Sequence, residues 1–306
     1  TLVGAEALAQ APFQFSEEEP YEVRAGEMEV VKTAEGGVTY LRGGVVITHG
    51  TTVLRGEEGA AYEGGNRAVL RGGVEILDGA TTLTSQEASY LRDKRVVVLS
   101  SGVKVVQEAQ TIEADTITYD RTTRTAVAKG SVKITDESQE VVVEGEEGSY
   151  DFNKSYGVIY LSPRLTRLGQ GEPVTISSDS MELFREEGRS IAKGGVLISQ
   201  GNMQGRCGKA IYLREGESVV LTGDPEVDQK GDWLKGDTCE LALREGELIS
   251  LIVTGGGQGL HHLENGELNK IEGERITVTF REGEVERIVV EGRARGEYLF
   301  RDCLLY

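Results

Sequence analysis

The stretch IEADTITYDRTTRTAVAKGSVKI, Ile112 to Ile134, holds two runs of recurring apolar residues around a polar turn. In the second run Val132 and Ile134 alternate with Ser131 and Lys133. This period of two gives a strand one apolar and one solvated face. The first run slips: Ile112 and Tyr119 have opposite parity, as do Leu83 and Tyr90 in an equivalent stretch. A β-bulge between the two anchors restores one continuous inner face. The intervening DRTTR, Asp120 to Arg124, has the composition of a tight turn.

The same phrase recurs along the chain. A glycine run, Gly-x-Val-x-Ile, occurs as GGVVI (Gly43 to Ile47), GGVEI (Gly72 to Ile76), SGVKV (Ser101 to Val105), GSVKI (Gly130 to Ile134) and GGVLI (Gly194 to Ile198). Val45, Val74, Val103 and Val132 are 29 residues apart each time. Weaker copies follow at Pro163 (SPRL) and Pro225 (GDPEV), and a degenerate one near Gly255. A tyrosine run trails each glycine run, marked by Tyr62, Tyr90, Tyr119, Tyr150, Leu183, Tyr212 and Leu241. Polar turns follow, from EGGNR and LRDKR through FNKSY to REGES, REGEL and REGEV.

Two runs of about ten residues per period are too short and too β-branched for a helical repeat, so they read as antiparallel strands. The expected fold is all-β: an extended, twisted jellyroll of about sixteen antiparallel strands built from two-strand repeats of about 29 residues. A parallel β-helix needs three turns per period, and only two turn signals recur. The expected organisation is an N-terminal arm over 1–20, a first half over 21–160, a second half continuous with it over 161–300, and a tail over 301–306. The segment Tyr160 to Ile176, with two of the five prolines, reads as a bend or seam.

Composition narrows the function. The formal charge of −18 over 306 residues repels phosphate backbones and anionic bilayers at long range. RDKR (Arg92 to Arg95) and DRTTR are short, mixed with acid and placed at turns, and read as solvated loops; no nucleic-acid partner is expected. The opening TLVGAEALAQ resembles the end of a secretory signal peptide with cleavage near Ala9, which implies export. Cys207, Cys239 and Cys303 lack CxxC spacing and read as small buried hydrophobes. His261 and His262 are neighbours that a strand would point to opposite faces, so they read as loop residues and not as a metal site. His49 reads as a turn residue, and GGGQG (Gly255 to Gly259), without a following helix, as a flexible loop. No catalytic residue, metal or cofactor is expected. A polysaccharide-active enzyme on a β-solenoid would need two carboxylates across a cleft, and 51 acidic residues make chance pairs uninformative. A structural surface array is the other alternative.

The inner-face candidates are Val45, Ile47, Val74, Ile76, Val103, Val105, Ile117, Tyr119, Val132 and Ile134. Their pattern suits either a closed core about 10 Å thick or the wall of a trough between splayed sheets. An acyl chain entering such a trough gains about 0.8 kcal/mol per buried CH₂.

The phrases GSVKI and IEADTITYD at this spacing, over most of Tyr21 to Glu291, resemble the OstA-like, LptA-type family of periplasmic lipopolysaccharide transport. The resemblance implies a β-jellyroll whose interior holds the acyl chains of lipopolysaccharide or a related glycolipid. It also implies a periplasmic, non-catalytic bridge toward the outer membrane, with inner- and outer-membrane Lpt components as partners and end-to-end self-association through edge strands. Under it the ten inner-face residues become a lipid groove.

Overall fold

The structure, a computed structural model, describes residues 21–33, 36–62, 67–138, 140–167, 172–244, 247–262, 268–281 and 283–299. The N-terminal arm with Ala9, most of the EGGNR turn, Cys303 and the 301–306 tail lie outside the described residues. The fold is all-β: 24 strands, paired antiparallel, with no helix among the described residues. The chain divides into two compact units between Leu161 and Ser162.

In the first unit, long strands follow one another as hairpins, from Gly36–His49 and Thr52–Tyr62 through Val96–Gln107 and Gln110–Asp120 to Val141–Asp151. Between the strands Val96–Gln107 and Gln110–Asp120, Val97 opposes Tyr119 and Leu99 opposes Ile117; past a register shift, Val103 opposes Ala114 and Val105 opposes Ile112. These apolar pairs belong to one buried cluster, with Ile112 packed at its edge, and Lys104 between them is exposed.

The bulge needed for this inner face exists, and its extra residue comes from the glycine run: Ser101 and Gly102 together oppose Asp115. Both adopt left-handed backbone, φ 67° and 72°. The same pair of positive φ angles occurs at Gly43–Gly44, Gly72–Gly73, Gly130–Ser131, Gly194–Gly195 and Gly255–Gly256. An L-residue in this conformation costs roughly 1–2 kcal/mol, which explains why each of these pairs contains glycine. GGGQG is therefore a corner inside the strand Glu247–His262 and not a flexible loop.

Two weaker repeats use the same corner. Leu161 and Ser162 (φ 63° and 58°) precede Pro163, and Gly223 and Asp224 (φ 79° and 55°) precede Pro225. Both prolines are buried, at the step after the corner that Val45, Val74, Val103 and Val132 occupy elsewhere. Proline has no N–H for the ladder, so the run breaks there into Ser218–Thr222 and Glu226–Gln229. Similar breaks within the second unit separate Val174–Ser177 from Ser180–Phe184 and Asp232–Lys235 from Thr238–Arg244. Long runs broken at their corners account for a strand number above sixteen.

The second unit has its own core of Ala192, Val196, Cys207, Ala210, Leu221, Val227, Cys239, Leu251, Val253, Ile276 and Val278. Cys207 and Cys239 are free and buried, and burial pushes their thiols up to about 11 and about 12. They behave as small hydrophobes. On the outer faces, cross-strand pairs such as Arg55–Glu75 and Arg71–Glu87, both 2.7 Å, support register while contributing little stability at such exposure.

Candidate functional site

Eight of the ten inner-face candidates are buried members of the first unit's core, with Val45, Val74, Ile76 and Val103 each 1% exposed. Ile47 and Ile134 are partly buried and pack against it. Consecutive repeats therefore contribute to one apolar interior, filled by side chains. An acyl chain would replace side-chain contacts there, which requires the facing apolar surfaces to part.

Antiparallel hairpins gather the turns of this unit along two rims. The first rim carries His49, Thr52, Thr81, Gln110 and Asp136, all buried. They are satisfied across repeats: Thr52 Oγ1 donates to Asp78 Oδ1 at 3.0 Å, and Gln110 Nε2 donates to Asp136 Oδ2 at 2.5 Å. Ser138 Oγ also donates to Asp136, and the Glu137 N–H donates to the Ala109 carbonyl at 3.0 Å. His49 is not a turn residue: it ends the strand Gly36–His49, is 2% exposed, and lies 4.2 Å from the Tyr21 ring. Sequence reasoning missed this polar row although a signal exists, since His49, Asp78, Gln107 and Asp136 fall 29 residues apart each time.

The second unit repeats the rung with histidine. His261 and His262 end the strand Glu247–His262, and both rings reach Asp232, with Nδ1 atoms 2.5 and 2.9 Å from its two carboxylate oxygens. The His262 N–H adds a bond of 2.7 Å. The expectation of two loop histidines on opposite faces is thereby corrected, because a carboxylate at the ladder's end can accept from both. Burial works against the Asp232 charge, but these donors hold its carboxyl below the usual range. Among the described residues no group of three or more His, Cys, Asp or Glu is arranged to hold a metal ion.

The second rim is aromatic and cationic. Tyr119 and Tyr150 are buried and meet Phe152 edge-on at 5.8 and 4.8 Å. Arg121 Nη1 donates to Tyr90 Oη at 3.1 Å and lies 5.9 Å from its ring centroid. Burial raises the Tyr119 hydroxyl, against the opposing pull of Arg124 and Arg121. Successive turns are joined through the backbone: the Arg121 N–H donates to the Arg95 carbonyl and the Phe152 N–H to the Arg124 carbonyl, both at 3.0 Å.

Fold and site together define an all-β protein whose first unit holds an apolar interior between a polar and an aromatic rim. Residues 21–168, just under half of the chain, match the model of the family described as OstA-like protein. The chain is also similar to a solved structure described as LptH, the LptA homologous periplasmic component of the conserved lipopolysaccharide transport device from Pseudomonas aeruginosa. The identity is 28%, over 34% of this chain and 77% of that one, with a TM-score of 0.31. No match is found among curated proteins.

Proposed function

We propose that the protein is a non-catalytic carrier of lipopolysaccharide or a related glycolipid, holding acyl chains in the interior of its first unit. The observation that carries this reading is the unbroken apolar inner face, in which Val45, Val74, Val103 and Val132 recur at the same step of successive repeats. Burial of each CH₂ contributes about 0.8 kcal/mol without any reacting group, which suits retention and release better than chemistry. The family match and the description of the similar LptH structure support placing it in the periplasm, in transport toward the outer membrane with Lpt components.

A photo-crosslinking residue at Val105, Ile117 or Ile134 is expected to capture lipopolysaccharide, and one at exposed Lys104 is not. Equal labelling at Val105 and Lys104 would contradict the reading.

End-to-end association belongs to the same proposal. Among the described residues the strands Glu22–Arg24 and Glu27–Thr33 of the first unit pair on one side only, as do Glu284–Glu291 and Arg295–Leu299 of the second. Exposed Val23, Met28 and Val30 leave the first edge without the charges that blunt pairing at every position. Sedimentation should show concentration-dependent oligomers that are lost with proline at Val289 or Val290, one of which turns its N–H to the free edge. A monomer at high concentration would remove this part alone.

A further inference from the structure

We propose that the two stacked turns Arg92–Arg95 and Arg121–Arg124 form a binding site for the phosphate groups of an amphiphile whose chains occupy the adjoining interior; the inference rests on the carrier reading above. In sequence these turns look like separate solvated loops, 29 residues apart. Folding places them side by side on one rim, tied by the Arg121 N–H to Arg95 carbonyl bond of 3.0 Å. They then present five cations, Arg92, Lys94, Arg95, Arg121 and Arg124, against two carboxylates, Asp93 and Asp120.

The Asp120 carboxylate is already engaged, accepting from the N–H groups of Thr122 at 2.7 Å and Thr123 at 3.0 Å. Arg92, Lys94 and Arg124 are exposed and form no ion pair among the described residues. Two turns on the corresponding rim of the second unit differ: Arg189 is bound to Glu187 at 2.7 Å and Arg281 to Glu286 at 2.5 Å. In a chain of net charge −18, cations left uncommitted on one rim point to an anionic ligand.

The position selects the kind of anion. Directly inside the turns lie the buried pair Val97 and Tyr119, and Tyr90 holds Arg121 through its hydroxyl and ring. A ligand reaching both the cations and the apolar interior must carry charge at one end and chains at the other. Arginine binds phosphate oxygens bidentately, and turns two strands apart sit about 10 Å from each other, a spacing that serves a head group bearing more than one phosphate.

The test compares bisphosphorylated lipid A with the same lipid after phosphatase treatment, on the full chain and on the double variant Arg92→Gln/Arg124→Gln. Wild type is expected to bind the phosphorylated lipid about five- to tenfold more tightly at low salt. The preference should fall to near unity in the variant, and also in about 1 M salt, where screening acts within about 3 Å. Equal wild-type affinity for both lipids overturns the inference and leaves the interior reading standing. Failure of a chain with native circular dichroism to bind either lipid overturns both. Displacement of lipid A by equimolar inorganic phosphate would mark a free-phosphate site and overturn the assignment to an amphiphile.

Discussion

Gly130→Ala is expected to lower the unfolding free energy by about 3 kcal/mol, and Gly102→Ala by only about 1–2 kcal/mol. Both glycines have left-handed φ, 76° and 72°, so both substitutions incur the conformational penalty. Their surroundings differ. A Cβ on Gly130 would overlap the Asp115 carboxylate and lie 2.8 Å from its Cγ, whereas nothing lies within 4 Å of a Cβ on Gly102. The two glycines therefore do different work in neighbouring corners: Gly102 permits the backbone angle, and Gly130 also leaves room for the Asp115 side chain. Urea unfolding measures both losses. Asp115→Gly in the Gly130→Ala background should recover part of the deficit by removing the overlapping side chain. Equal losses at the two positions would show that the close approach is unimportant.

Ile76→Ala and Ile276→Ala should each cost about 2–4 kcal/mol, from lost transfer free energy plus the cavity left behind. Ile76 is 1% exposed in the first core and Ile276 0% exposed in the second. Ile47→Ala should cost less, because Ile47 is only partly buried at the core's margin. This comparison bears on function as well as stability. A loss below about 1 kcal/mol at Ile76 would mean that the side chain faces open space, so that lipid could enter without displacing packed neighbours. A loss in the expected range means that entry must be linked to parting of the inner faces, and that bound lipid replaces contacts the empty protein already makes.

Those losses depend on residues whose placement follows from pattern alone. Alternation of Val103 and Val105 with Lys104 assigns each side chain to a face, because the period of a strand is a property of the backbone. The recurring glycine marks the corner for a local reason too, since left-handed backbone penalises a Cβ wherever it occurs. Hence the all-β class and the alternation of inward and outward residues were legible in the sequence, whereas GGGQG, which reads as a loop, is a corner inside a strand. The direction of the bulge was not: parity required an extra residue somewhere between the anchors, and only the cross-strand register places Ser101 and Gly102 opposite Asp115.

Which groups meet along the rims depended on tertiary structure. Thr52 meets Asp78 across 26 residues, and Arg121 meets Tyr90 across 31. His261 and His262 share a carboxylate 29 and 30 residues away, though as neighbours on a strand they seemed destined for opposite faces. The basic turns appeared as minor interruptions in an acidic chain until stacking joined Arg95 to Arg121 through the backbone. By itself the sequence determined the strands and their inward faces, because the period of two is set within a few residues. Which turns stand side by side, and hence which charges and rings act together, was decided only by the register between repeats, where hydrogen bonds link residues about one repeat apart.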